Sequence, residues 1–219
     1  MMFSNREEAG RLLAVRLAPY RDDASALILA LPRGGGAVGY QMSLELRLPL
    51  DVFLTRKIGA PENPEYAIGA ISESGAVYLN RDAVGMCGVS KADLGRLFLA
   101  QREEITRRQA LYRQGLPLPS LTDRTILLVD DGIATGATFF ASIEGVRDLK
   151  PRRLIAAIPV GPHETLREVK RLVDDLVVLE MPDPFLALGH HYADFTQVQD
   201  EDVLRYLSVA KQALWGGST

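Results

Sequence analysis

"ILLVDDGIATGATFF", residues 126–140, sets the frame for the rest of the chain. An uninterrupted apolar run is what a central strand of a parallel sheet requires, because both of its faces are buried. Two adjacent carboxylates, Asp130 and Asp131, stand where that strand should end. Like charges side by side stabilise no core, so they must face something that wants two acceptors. The segment Gly132 to Thr138 is small and polar and leads into a helix carrying Phe139, Ile143, Val146 and Leu149 on its inner face. Backbone N–H groups and hydroxyls at such a strand–loop–helix turn can surround a tetrahedral anion. No Gly-Lys-Ser/Thr follows, so this is not a Walker A loop. A phosphate loop beside a pair of carboxylates that suits vicinal hydroxyls describes a ribose 5-phosphate site.

Working outward, apolar runs alternate with helical patterns. "ALILA" (Ala26–Ala30) reads as a buried strand, followed by a helix over 37–46 and a second strand over 50–55. Further strands are expected at 125–129, 153–158 and 176–179, with helices at 137–149 and 163–173. This alternation predicts an α/β fold with a mainly parallel central sheet flanked by helices, whose ligands bind beyond the carboxyl ends of the strands. Ser4-x-x-Glu7 and Ser90-x-x-Asp93 each read as the start of a helix, the second one long, with Glu103/Arg107 and Glu104/Arg108 paired on a solvated face. Residues 56–89 are rich in Gly and Pro and read as a loop region with strands at 67–71 and 76–79. After Leu179 the composition turns aromatic, and the segment reads as an appended lid ending in a helix.

The chain has 219 residues with 47% hydrophobic content, enough for one sizeable core. A formal net charge of -3 without a polybasic block argues against nucleic-acid binding by bulk charge. One cysteine, Cys87, rules out a disulfide framework or a Cys-x-x-Cys zinc site. The amino-terminal residues lack the apolar core of a signal peptide and no apolar run approaches a membrane span, so a soluble cytoplasmic protein is expected.

A second glycine-rich turn, "LPRGGGAVG", places Gly34, Gly36 and Gly39 at dinucleotide-binding spacing between a strand and a helix. Where an acidic ribose ligand should follow, the chain has Thr55, Arg56 and Lys57. Arg56 could suit a 2'-phosphate, which keeps an NADP-dependent oxidoreductase as an alternative.

"ILLVDDGIATGAT" resembles the phosphoribosyl-pyrophosphate (PRPP) motif of the type I phosphoribosyltransferases: four apolar residues, two acids, then a Thr-Gly-x-Thr loop. "LPRGGGAVG", "RKIGAPENPEYAIGA" and "PVGP" extend the likeness to an uncharacterised bacterial subgroup of that family. The resemblance implies a transferase that uses PRPP and Mg2+ to pass ribose 5-phosphate to a nucleobase-like acceptor, releasing pyrophosphate. It implies a PRPP-binding core over 1–180 and a hood over the base at 181–219. Asp130 and Asp131 would hold the ribose hydroxyls, directly or through magnesium-bound water, with no direct protein ligand to the metal. Gly132, Ala134, Thr135, Gly136, Ala137 and Thr138 would form the 5'-phosphate loop. Arg33 and Gly34 would meet pyrophosphate, with Lys57 and Arg56 adding positive charge, so Arg33 and Lys57 carry the catalytic role. A non-proline cis peptide would lie near Arg33–Gly34, and residues 58–75 would close over the site. Phe185 and Tyr192 would stack on the base, with His190, His191 and Phe195 nearby, while His163 reads as a helix-start residue. Ala134 replaces the acid that 6-oxopurine enzymes carry before Thr-Gly, which disfavours hypoxanthine or guanine. A PRPP-binding regulator that has lost the reaction fits the same residues, and a homo-oligomer stays open.

Overall fold

The computed structural model describes residues 2–215, the side chain of Trp215 excepted. Its contacts divide the chain into two compact units, one of residues 1–52, 121–135 and 151–219 and one of residues 53–120 and 136–150. The boundary expected at residue 180 does not coincide with this division. Residues 181–215 pack in the same unit as the parallel sheet, because Phe3, Val160 and Tyr192 share one cluster onto which Phe185, Leu188 and Phe195 pack.

The first unit contains strands β1 (Ala26–Ala30), β2 (Leu50–Val52), β6 (Thr125–Val129), β7 (Arg153–Val160) and β8 (Asp175–Glu180). They form a five-stranded sheet in the order β2-β1-β6-β7-β8. Every neighbouring pair is parallel. β1 and β6 are buried at each of their five positions, as their unbroken apolar runs require. Helices α1 (Arg6–Arg16), α2 (Gly34–Leu46), α6 (His163–Leu172) and α7 (Asp200–Trp215) complete this unit. Leu13 of α1, Leu17 at its C-cap, and Val38, Met42 and Leu46 of α2 pack with Ile28, Leu127 and Ile155 in its main core.

α1 starts one residue later than its Ser4-x-x-Glu7 pattern suggests. Asn5 is the cap and accepts from the Glu8 N–H at 2.9 Å. Ser4 is instead drawn into an extended pairing, its carbonyl accepting from the Asp194 N–H at 2.9 Å. Two overlapping cap signals compete here, and a contact from the far end of the chain decides between them.

The second unit holds strands β3 (Thr55–Ala60), β4 (Asn63–Ser72) and β5 (Val77–Leu79), with helices α3 (Arg81–Met86), α4 (Lys91–Arg113) and α5 (Ala137–Asp148). Its sheet is three-stranded, ordered β3-β4-β5 and antiparallel. The segment 58–75, expected as a loop that closes, is therefore mostly a β-hairpin. Its glycines serve close packing: a Cβ on Gly59 would lie 2.1 Å from the Pro64 carbonyl oxygen, and one on Gly69 2.4 Å from that of Tyr78. Within it only residues 61–66 at the hairpin tip and Ser74 and Gly75 are exposed. The expected strand over 50–55 likewise ends at Val52, and Thr55 opens β3. α4 begins with the capping box at Ser90 and Asp93 that its sequence predicts. On its surface Glu104 takes both Arg107 and Arg108, where separate pairs with Glu103 and Glu104 were expected. The hydrogen bond from Arg107 is the largest cause that lowers the Glu104 carboxyl to about 2.

Candidate active site

Register brings two loops together at one edge of the parallel sheet. Ala30, the last residue of β1, pairs with Val129, the last residue of β6. The Leu31 N–H then donates to the Val129 carbonyl at 2.9 Å. "PRGGG" and "DDG" therefore leave the sheet side by side, at the carboxyl ends where an open α/β sheet binds ligands.

The contact between them is intimate. A Cβ on Gly34 would fall 1.9 Å from Asp131 Oδ2, and one on Gly35 2.8 Å from the Val129 carbonyl oxygen. Neither position tolerates a side chain while the acids keep their places. A Cβ on Gly36 meets nothing closer than Val203 Cγ2 at 3.5 Å, an ordinary contact. The Pro32–Arg33 peptide is cis, one bond before the position expected. These distances predict opposite outcomes for two neighbouring substitutions. Gly34→Ala should destabilise by about 2–3 kcal/mol through overpacking. Gly36→Ala, inside α2, should be neutral or stabilise by up to about 1 kcal/mol through helix propensity. Thermal melts of the two variants check this, and equal melting temperatures would refute the assigned contacts.

The two acids differ sharply although they are neighbours. Asp131 is 8% exposed, and its Oδ2 accepts from Arg6 Nε at 2.7 Å. Arg6 comes from the first residue of α1, donates from Nη1 to the Thr196 carbonyl at 2.9 Å, and lies over the Phe195 ring at 3.9 Å. The Asp131 carbonyl accepts from the Tyr192 hydroxyl at 2.6 Å. Asp130 is half-buried, and its Oδ1 accepts from the Asp131 N–H at 2.8 Å. Burial first, and the Asp131 charge second, push the Asp130 carboxyl well above the ordinary aspartate range. Asp130 makes no ion pair among the described residues, and Arg6 acts on it only as a smaller, more distant charge that lowers its pKa.

The chain continues from the acids through Gly132, whose φ of 153° favours glycine and where a Cβ would lie 2.1 Å from Leu188 Cδ1, to Ile133, whose N–H donates to the Val160 carbonyl at 2.9 Å. Ala134 and Thr135 are exposed, and the Ala134 carbonyl accepts from the Thr165 hydroxyl at 3.0 Å. Gly136 caps α5 with φ 81°, a left-handed conformation that favours glycine. Ala137 and Thr138 form the first turn of that helix. Arg33 is half-buried and makes no side-chain hydrogen bond or ion pair among the described residues.

Other expected site residues stand elsewhere. Lys57 and Arg56 lie on β3 in the second unit, where Lys57 pairs with Glu65 at 3.2 Å and Arg56 Nε donates to Gln101 at 3.1 Å. The NADP reading needed Arg56 at the end of the parallel strand β2, and it is not there. Tyr192 is a core residue at 4% exposure, packed against Phe3 and stacked on Phe195 at 5.1 Å, so it offers no open ring to a base. Burial also raises its hydroxyl pKa far above the ordinary value. Phe185 is half-buried and stacks on His191 at 5.3 Å. Burial is the first cause that lowers the His191 pKa. His190 is exposed, and His163 opens α6. Arg6 is the functional candidate that sequence reasoning misses, since nothing local distinguishes it from other arginines on a helix face.

A family model for the phosphoribosyl transferase domain matches residues 9–185. The chain belongs to the phosphoribosyl transferase domain family. The match covers both loops and all five parallel strands. Two proteins from strains of Mycobacterium tuberculosis, each named "Putative phosphoribosyl transferase", are 38% identical over 95% of this chain. The chain spans about half the length of these curated relatives, 47%. The crystal structure of TT1426 from Thermus thermophilus is 39% identical, with a TM-score of 0.78, covering 94% of this chain and 98% of that one. Among the described residues no helix is long and apolar enough to cross a membrane.

Proposed function

We propose that the chain transfers ribose 5-phosphate from PRPP to a nucleobase-like acceptor and releases pyrophosphate. The observation that carries this reading is the seating of Gly34 against the Asp131 carboxylate, at strand ends in register. It supports reading the two loops as one site, one suited to a pyrophosphate and one to a ribose phosphate.

In this reaction the bond from C1 of the ribose to the pyrophosphate oxygen breaks, and an acceptor nitrogen bonds to C1 and loses its proton. Negative charge grows on the leaving group, so the protein's task is to hold and neutralise it. Arg33, a cation without a counter-charge among the described residues, and the backbone at Gly34 are assigned to the pyrophosphate. Lys57 and Arg56 are assigned supporting positive charge, Lys57 in competition with its own Glu65. Asp130 accepts from ribose hydroxyls, and Gly132, Ala134 and Thr135 to Thr138 surround the 5'-phosphate. Phe185 is the aromatic residue assigned to the acceptor base.

Mg2+ suits this donor set. Carboxylate oxygens are its preferred protein ligands, and it commonly shares them with substrate phosphates. Asp130, which makes no ion pair among the described residues, fits a nearby cation, while the described residues hold no cluster of three metal-binding side chains. Bound there, Mg2+ would neutralise pyrophosphate charge as it develops.

Measuring pyrophosphate release from PRPP and Mg2+ over a panel of nucleobases tests the proposal. Turnover with one base is expected, and least with hypoxanthine and guanine because of Ala134. The burial of Asp131 against Arg6 favours a second reading, a regulator that binds PRPP without turning it over. PRPP binding without turnover on any base would select that reading.

A further inference from the structure

We infer that Arg6 is a positioning residue for the phosphoribosyl site, holding the Asp131 carboxylate against Gly34 so that both ligand loops keep one geometry. The inference rests on the phosphoribosyl reading and adds a residue outside the motif. Three features single out Arg6. Its partner is the second acid of the motif, contacted by Nε at 2.7 Å with both side chains largely buried, 10% and 12% exposed. Its remaining functionality is also used: Nη1 reaches the Thr196 carbonyl and the guanidinium face lies on Phe195. A lysine, a point charge on a flexible stem, cannot reproduce this fork-and-face arrangement. Finally, Asp131 Oδ2 is the same oxygen that lies where a Gly34 Cβ would be. The oxygen is therefore fixed between the α1 cation and the backbone of the loop assigned to pyrophosphate.

The electrostatic argument points the same way. Two adjacent carboxylates, one buried and one half-buried, would repel both each other and an anionic phosphate ligand. Arg6 offsets one of the charges, so that the second, on Asp130, alone faces the ligand side. The Tyr192 hydroxyl on the Asp131 carbonyl holds the backbone of the same residue from the other side. Phe3 bonds to both sides of Tyr192, through the His191 carbonyl and the Ala193 N–H, each at 2.8 Å. The start of the chain and residues 191–196 thus grip Asp131 together.

The test is calorimetric titration of PRPP with Mg2+ into the full chain, as wild type, Arg6→Gln, Arg6→Lys, Asp131→Asn and the Arg6→Gln/Asp131→Asn double variant, each with a melting temperature. Arg6→Gln is expected to weaken PRPP binding at least tenfold, with Arg6→Lys recovering part of the loss. Because Arg6 acts through Asp131, the double variant should bind no more weakly than Asp131→Asn alone. A merely structural role would lower the melting temperature of Arg6→Gln and leave PRPP affinity at the wild-type value, which overturns the inference. Losses that multiply in the double variant also overturn it. If Arg6→Gln alone does not fold, the comparison of Asp131→Asn with the double variant, in which neither charge remains, still decides. Wild type that fails to bind PRPP overturns the phosphoribosyl reading and this inference with it, whereas normal wild-type binding with an unaffected Arg6→Gln removes the inference alone.

Discussion

Asparagine at both Asp130 and Asp131 is expected to weaken PRPP binding by roughly 10²–10⁴-fold, the equivalent of two charge-assisted hydrogen-bonding groups at about 1.5–3 kcal/mol each. Titration with PRPP and Mg2+ reads this directly, and unchanged affinity would refute the site. The single variants should separate in stability with opposite signs. Asp130 has its folded-state pKa raised, by burial first and by Asp131 second. The folded protein therefore keeps a proton that the unfolded chain has released. Stability is fully present below the unfolded value of 3.8 and is lost as pH rises toward the raised folded value. Ionising Asp130 within the fold is thus a cost that grows as pH rises, and Asp130→Asn should raise stability of the ligand-free protein by about 1 kcal/mol at the upper end of that range, a common gain when a functional site is neutralised. Asp131→Asn instead leaves Arg6 buried without its counter-ion and should cost about 2 kcal/mol or more. Melting curves at pH 4 and pH 7 check both signs, since the advantage of Asp130→Asn must grow with pH.

The second large effect lies in the second unit. Glu73 and Arg113 form a bidentate pair at 2.6 and 2.8 Å, with side chains 3% and 5% exposed. Gln109 adds a bond to Glu73 at 3.0 Å, and the Leu54 N–H donates to its Oε1 at 2.7 Å. This carboxylate joins α4 to the antiparallel sheet. Glu73→Ala should cost about 3–5 kcal/mol, because it strands a buried guanidinium. Replacing both residues by apolar ones (Glu73→Leu with Arg113→Met) should recover much of that but not all. The Leu54 N–H would still be left without its acceptor, at about 1–3 kcal/mol. Urea unfolding of the single and double variants checks the ranking. A double variant less stable than Glu73→Ala would contradict it.

Much of the parallel-sheet unit is legible in the chain because its signals are short-range. The runs at Ala26–Ala30 and Thr125–Val129 are apolar at every position and become strands with those bounds. The Ser90 capping box needs only three residues of spacing and forms as read. The hairpin from Thr55 to Ser72 was less legible. Its glycines and prolines look like loop punctuation, and only packing against Pro64 and Tyr78 reveals why they are small. The aromatic segment after Leu179 was hard to read for the same reason. Tyr192 and Phe195 look like aromatics available to a base, but pairing with Phe3 buries Tyr192.

The sequence by itself determined the alternation of strands and helices, the acid pair and small-residue loop beyond a central strand, and an alanine, Ala134, before Thr-Gly. Each of these is written in residue type and near-neighbour spacing, which local sterics and burial translate without further help. Tertiary structure alone decided that Gly34 must lack a side chain because Asp131 stands there, that Arg6 across 125 positions pairs with Asp131, and that burial and the Asp131 charge raise the pKa of Asp130. Those depend on which groups end up within a few ångströms of each other. Burial and Coulomb interaction act on that distance, and spacing along the chain does not encode it.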